Sequence, residues 1–165
     1  MPLDRDSLRM PQRDSIHNLV KQALIKEGWQ ITDDPYIISY GERFLFIDLG
    51  VTELTSLNSC GKTAVIGASL GDCRLAIEIK EFRGRSKIAD LEQAIGQYVL
   101  YQILLRKVDP QRDIYLAITT NTHEEIFREP IGETVVSDLP LNLIVINPNK
   151  IEVQEWIPPP TIATL

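Results

Sequence analysis

Ala76-Ile77-Glu78-Ile79-Lys80 places an acid and a lysine two positions apart inside an apolar run. Side chains alternate along an extended strand, so Glu78 and Lys80 project from one face and Ile77 and Ile79 from the other. Charged groups seldom occupy a strand that reads as buried unless they are paired or hold a metal. Roughly thirty residues upstream, by the same period-2 reading, a second apolar run, Phe44-Leu45-Phe46-Ile47, ends at Asp48. An isolated acid followed by acid-x-lysine on the next strand makes Leu75–Ile79 the centre of the fold.

The remaining elements fall around that strand. Ile16, Val20, Ala23 and Leu24 share one face of a helix expected from about residue 14 to 27, and Gly28 is a C-terminal stop. Asp33-Asp34-Pro35 reads as a turn, Tyr36–Tyr40 as a strand, Gly41-Glu42-Arg43 as a tight turn and Phe44–Leu49 as the hairpin partner. Between Gly50 and Leu75 the pattern weakens; Val51–Leu57 and Thr63–Ile66 are candidate short strands among glycine loops. Lys87–Arg106 carries the clearest helical stripe, with Leu91, Ile95, Tyr98 and Leu105 widened by Ala94 and Tyr101. A strand at Asp113–Thr119 follows, then a helix from about Thr122 to Arg128 that Pro130-Ile131-Gly132 is expected to break. Leu141–Ile146 reads as a buried strand and Ile151–Trp156 as an edge strand. This order predicts an α/β fold, a mixed sheet flanked by helices.

The chain has 165 residues, enough for one domain with its own core. Residues 1–9 read as an extension, 10–157 as a single domain and 158–165 as a flexible proline-rich tail. No run approaches the roughly 18 apolar residues of a membrane span, and the charged N-terminus lacks a signal-peptide core, so a cytoplasmic protein is expected. The two cysteines, Cys60 and Cys73, make neither a disulfide framework nor a zinc site. The two could meet across a hairpin, but reduced thiols are the expectation in that compartment. A net charge of −6 argues against strong nonspecific binding to phosphate backbones, so a nucleic-acid contact needs local positive charge, a metal bridge or a partner.

Asp48, Glu78 and Lys80 support a coherent chemistry. Two carboxylates and the backbone carbonyl near Ile79 form an oxygen donor set for magnesium, with manganese as a substitute. Such a cation acidifies a bound water and offsets charge on a scissile phosphate. Lys80 would orient that water or stabilise developing negative charge. The structural alternative is an edge-strand Glu78–Lys80 ion pair, with Asp48 merely ending its strand. Gln97 and Tyr101, four residues apart on the following helix, share a face that could reach back over the sheet, or could simply be core and its flank. Lys80, Arg83, Arg85 and Lys87 form a basic cluster that would suit phosphate contacts or a solvated turn, Glu81 and Asp90 offsetting part of its charge. His17, on the first helix, could approach the metal site as first-helix residues of this fold class can, but a lone histidine is more often structural. Gly61-Lys62-Thr63 lacks the upstream glycine spacing of a phosphate loop.

The series Asp48, Glu78-x-Lys80 and Gln97-x-x-x-Tyr101 resembles the PD-(D/E)xK nuclease superfamily, especially the branch of the RecB and phage lambda exonucleases. Over residues 10–157 the chain looks more closely like the cyanobacterial XisH family of fdxN element excision controlling factors. The matching segments are His17–Lys21, Ala23–Trp29, Asp34-Pro35, Asp48-Leu49-Gly50, Ala76–Lys80, Gly96–Tyr101, Ile126-Phe127 and Pro130-Ile131-Gly132. Two features depart from the family pattern: Asn58–Arg74 is longer, and the acidic residue expected after Leu54 is missing from Thr55–Asn58. The intact Glu78-x-Lys80 beyond it favours a surface-loop insertion.

The resemblance implies a restriction-endonuclease-like fold and a role in excising a DNA element, together with a site-specific recombinase and a companion called XisI. It leads to three expectations. The first is a magnesium-dependent DNA nuclease; the second is a non-catalytic regulator that steers a recombinase through protein contacts. The third is a stable protein complex, with a XisI-like companion or as a homo-oligomer.

Overall fold

The computed structural model describes residues 13–53 and 73–158. Helix α1 (Arg13–Lys26) leads into strand β1 (Trp29–Asp33), the hairpin β2 (Tyr36–Tyr40) and β3 (Arg43–Ile47), and strand β4 (Leu49–Glu53). Strand β5 (Cys73–Ile79) precedes the long helix α2 (Lys87–Val108) and strand β6 (Arg112–Thr119). A helical turn, α3 (Thr120–Thr122), runs directly into a π-helical segment, His123–Phe127. Helix α4 (Pro130–Asp138) and strands β7 (Leu143–Asn147) and β8 (Glu152–Ile157) complete the described chain.

Six strands form one mixed sheet in the order β1-β4-β5-β6-β7-β8, and β2-β3 form a separate two-stranded sheet. Strands β5, β6 and β7 run parallel; the β1–β4, β4–β5 and β7–β8 pairs are antiparallel. This is the expected α/β architecture, with helices on both faces. Alternation along the three parallel strands divides their side chains between two cores. Ala76, Ile114, Leu116, Ile118, Leu143 and Val145 pack with α2 and the hairpin. Leu75, Ile77, Ala117, Ile144 and Ile146 pack with α1, whose buried Ile16, Val20, Ala23 and Leu24 form the expected stripe. By the same alternation Glu78 falls on the α2 face.

Helix α2 starts where Ser86 accepts a hydrogen bond from the Ala89 amide at 3.1 Å, a side-chain cap for one of the helix's unpaired N–H groups. Its buried face is Leu91, Ala94, Tyr98, Tyr101 and Leu105, with Ile95 packed at the flank. Tyr98 is wholly buried and its hydroxyl is satisfied, accepting from the Asn142 amide at 3.1 Å.

Several expectations are corrected. Strand β1 follows Gly28 directly, where only the approach to a turn was anticipated. Pro130-Ile131-Gly132 does not break a helix but opens α4, with Pro130 in the first turn, where its missing N–H costs nothing. Gly132 is buried in that first turn because a Cβ would lie 2.1 Å from the Ile126 carbonyl oxygen. The helix expected over 122–128 is the short α3 turn and the π-helical segment. Cys73 is disulfide-bonded, against the expectation of reduced thiols; Cys60 lies outside the described residues. The N-terminal extension, Thr63–Ile66, most of the Asn58–Arg74 insertion and the tail after Pro158 also lie outside them. Among the described residues no helix is long and apolar enough to cross a membrane.

Candidate active site

Asp48 is the single residue between β3, which belongs to the hairpin, and β4, which belongs to the main sheet. The chain changes sheets at this point, and the bend turns the carboxylate toward β5. Leu49 pairs with Ile77 and Gly50 with Ala76, so one further step of the register sets Asp48 opposite Glu78. The side-chain contact agrees: Asp48 Oδ2 accepts a hydrogen bond from the Ile79 amide at 2.9 Å. In an extended strand the N–H and C=O of one residue point to the same side, so the Ile79 carbonyl is also directed toward Asp48. Asp48 and Glu78 are both buried, at 6% and 7% exposure.

Glu78 and Lys80 sit at the carboxyl end of β5, a central strand flanked by β4 and β6. The Lys80 amide extends the parallel ladder by donating to the Ala117 carbonyl at 3.0 Å. A central strand rules out an edge-strand ion pair. The Lys80 ammonium instead donates to Gln93 Oε1 on α2 at 2.7 Å. Open α/β sheets place their ligands outside the carboxyl ends of their strands.

The α2 residues expected to close over this centre occupy different environments. Tyr101 is buried in the core beneath α2. Gln97 is half-buried, and its Oε1 is buried without a hydrogen-bond partner. Gln93, one turn before Gln97, is the residue that touches Lys80, and sequence reasoning did not single it out. The signal was present: 93, 97 and 101 form an i, i+4, i+8 series on one helix face.

The basic cluster is partly engaged by acids. Arg83 pairs with Glu81 at 2.8 Å, and Lys87 lies 3.4 Å from Glu125 while also donating to the Phe82 carbonyl. Arg85 is exposed in the connection to α2. Asp90 holds this loop by accepting from the Gly84 amide at 2.8 Å.

A second polar group occupies the same end of the sheet on the α1 side. Asp34 Oδ1 lies 2.7 Å from His17 Nε2, and Asp34 Oδ2 accepts from Lys21 Nζ at 2.7 Å. Partial desolvation pushes the Asp34 carboxyl up, but the hydrogen bonds and positive charge of Lys21 and His17 outweigh it and hold it below its ordinary value. His17 therefore ties α1 to the β1–β2 turn, the structural role expected of it. A cavity of about 310 Å³ lies elsewhere, between the π-helical segment, α4 and the β7–β8 edge, and its lining includes His123, Arg128 and Glu155 but none of the residues above.

Among the described residues no group of three or more His, Cys, Asp or Glu side chains is arranged to hold a metal. The acids at the β5 terminus number two, Asp48 and Glu78. That donor set, with a main-chain carbonyl, fits magnesium, which binds through one or two carboxylates and otherwise keeps water or substrate oxygens.

The sequence model of the family described as XisH protein matches residues 10–154. The chain belongs to the XisH family. Two crystal structures are similar over nearly the whole domain. A fdxN element excision controlling factor protein from Anabaena variabilis is 30% identical, with a TM-score of 0.74, covering 88% of this chain and 99% of that one. An XisH family protein from Nostoc punctiforme PCC 73102 is 26% identical, with a TM-score of 0.73, covering 87% and 98%. Among curated proteins, none matches the chain.

Proposed function

We propose that this XisH-family chain is a DNA-element excision factor built on a restriction-endonuclease-like, PD-(D/E)xK fold, with a magnesium-dependent phosphodiesterase centre at Asp48, Glu78 and Lys80. The observation that carries the reading is the 2.9 Å hydrogen bond from the Ile79 amide to Asp48, which fixes an acid from the β3–β4 bend against the Glu78-x-Lys80 segment. The excision role rests on the similarity to the Anabaena variabilis protein. Asp48, Glu78 and the Ile79 carbonyl would hold the cation, whose chemistry is to acidify water and neutralise phosphate charge. Manganese should substitute.

Within that arrangement Lys80 holds positive charge at the strand end, where the attacking water and the non-bridging phosphate oxygens would lie. Hydrolysis forms one P–O bond from water and breaks one P–O bond of the backbone. Lys80 stabilises the charge that develops on phosphorus oxygens between the two. Gln97 offers its buried, unpartnered Oε1 as an acceptor for the water or a substrate hydroxyl. Arg83, Arg85 and Lys87 would meet the flanking backbone. The test is cleavage of labelled single- and double-stranded DNA with magnesium or manganese. Cleavage by the unaltered protein, lost in Glu78→Ala and Lys80→Ala, is expected; no cleavage, or cleavage undiminished in both variants, would sink the reading.

A second reading is favoured by the net charge of −6 and by the acids that engage Arg83 and Lys87. In it the fold acts as a regulator of a site-specific recombinase, with a XisI-like companion or as a homo-oligomer, and the β5 centre is a relic. It predicts partner binding that survives Lys80→Ala.

A further inference from the structure

Resting on the nuclease reading above, we infer that Gln93 is a positioning residue for Lys80, holding the ammonium at the carboxyl end of β5 through a neutral amide that fixes its place without cancelling its charge. The contact is 2.7 Å, from Lys80 Nζ to Gln93 Oε1, and it bridges the strand and the helix that cover the centre. The partner's chemistry sets Lys80 apart from most of its fellow cations, Lys26 on the Lys150 carbonyl being another with a neutral acceptor. Lys21 is held by Asp34, Lys87 lies against Glu125, Arg83 is paired with Glu81, and Arg74 and Arg112 share Asp109. In each of those pairs a carboxylate offsets the positive charge. Lys80 instead meets an amide oxygen, which accepts one hydrogen bond and leaves the full charge to act on an anion.

The position also explains why a fixing contact is useful. Lysine carries four rotatable side-chain bonds and loses much rotamer freedom when held in one place. A helix anchored by its Ser86 cap and its buried stripe presents Gln93 at a constant height above β5. The charges that face Lys80 come from four directions. Glu78 shares its strand face, Asp48 meets β5 from the β3–β4 bend, and Glu81 and Arg83 follow in the loop as a pair. Asp90 in the first turn of α2 is engaged by the Gly84 amide. Gln93 adds no further charge to that set.

Gln93 is exposed, so substitutions there should leave the fold intact. The full chain is ¹³C-dimethylated at its lysines, and the Lys80 signal is assigned by its loss in Lys80→Arg. Its chemical shift and relaxation at one pH are compared in the unaltered protein, Gln93→Glu and Gln93→Leu. Gln93→Glu keeps an oxygen acceptor and should leave the Lys80 signal distinct from those of freely rotating lysines. Gln93→Leu should move the signal to the position of freely rotating lysines. A Lys80 signal that already matches free lysines, or that Gln93→Leu does not move, would overturn the inference. Magnesium-dependent DNA cleavage is followed in parallel, and Gln93→Glu should lower its rate about tenfold, because a carboxylate offsets the charge of the ammonium. Absence of cleavage in every sample, with the Gln93→Leu signal change present, would remove the nuclease reading and leave the positioning contact standing.

Discussion

The two ends of the parallel strands carry polar clusters of opposite character. At the amino end of β5 and β6, Arg112 is buried to 9% exposure and its donors are used: Nε donates to Asp109 Oδ2 at 3.0 Å and Nη1 to the Leu75 carbonyl at 3.0 Å. Its guanidinium lies 4.4 Å above the Tyr36 ring. Arg74 completes the set with a forked contact to Asp109 at 3.0 and 3.3 Å. A buried charge pair is retained when hydrogen bonds satisfy its remaining groups, and this one closes off the end of the sheet. At the carboxyl end the contacts are of another kind. Asp48 accepts from a main-chain amide and Lys80 donates to a neutral amide. The amino-end arginines are held by a carboxylate, whereas the carboxyl-end lysine is held by a neutral amide.

That contrast can be broken by exchanging the two kinds of readout. The largest effect is expected from Lys80→Ala, which should lower DNA cleavage by about 10²–10³-fold, the usual cost of one stabilising donor at a developing negative charge. Its urea unfolding midpoint should stay close to that of the unaltered protein. A large loss of stability would place Lys80 with the amino-end cluster instead. Arg112→Ala should do the reverse. Removing it leaves Asp109 with less compensation beside a vacated site, at about 3 kcal/mol of stability by denaturant unfolding. Cleavage by the remaining folded fraction should be unchanged.

Gln97→Leu sharpens the comparison, because the exchange keeps volume and removes the unpartnered oxygen. Stability should rise by about 1 kcal/mol, while cleavage falls. If both fall together, Gln97 serves the core rather than the site. The smallest effect concerns Asp34, below about 1 kcal/mol for a pair this accessible. Its folded pKa is lowered, so its contribution is present above the unfolded value of 3.8 and is lost as pH falls through the still lower folded value. Asp34→Asn should therefore be less stable than the unaltered protein at pH 7, and the difference should shrink below about pH 4. Parallel unfolding curves at pH 7 and pH 3 provide the check; an undiminished difference at pH 3 would remove Asp34 as an acid-sensitive tie.

The elements that sequence reading located share a property: each is specified by its own side-chain period. Ile16–Leu24, Leu91–Leu105 and Leu75–Ile79 declare helix or strand locally, and the structure places them within one or two residues. The misreadings share another property. Pro130 and Gly132 resemble punctuation, yet proline suits a helix's first turn and Gly132 is required by contact with Ile126 and Phe127 from the preceding segment. In β1, Trp29 and Ile31 do alternate with polar residues, but five residues pressed between a helix stop and a turn give too short a window to register. The π-helical segment has no side-chain period of its own to betray it.

By itself the sequence determined that Glu78 and Lys80 share a strand face, that Gln97 and Tyr101 share a helix face, and that the chain is of XisH type. These follow from periods of 2 and 3.6 residues and from matched segments, all of which are local. Only the tertiary structure decided that Asp48 bends onto the Ile79 amide, that Tyr101 goes into the core, and that Gln93 receives Lys80. Those outcomes depend on where one chain segment crosses another. The change of sheet at Asp48, the β4–β5 register and the height of α2 over β5 set that crossing, and no local pattern encodes them.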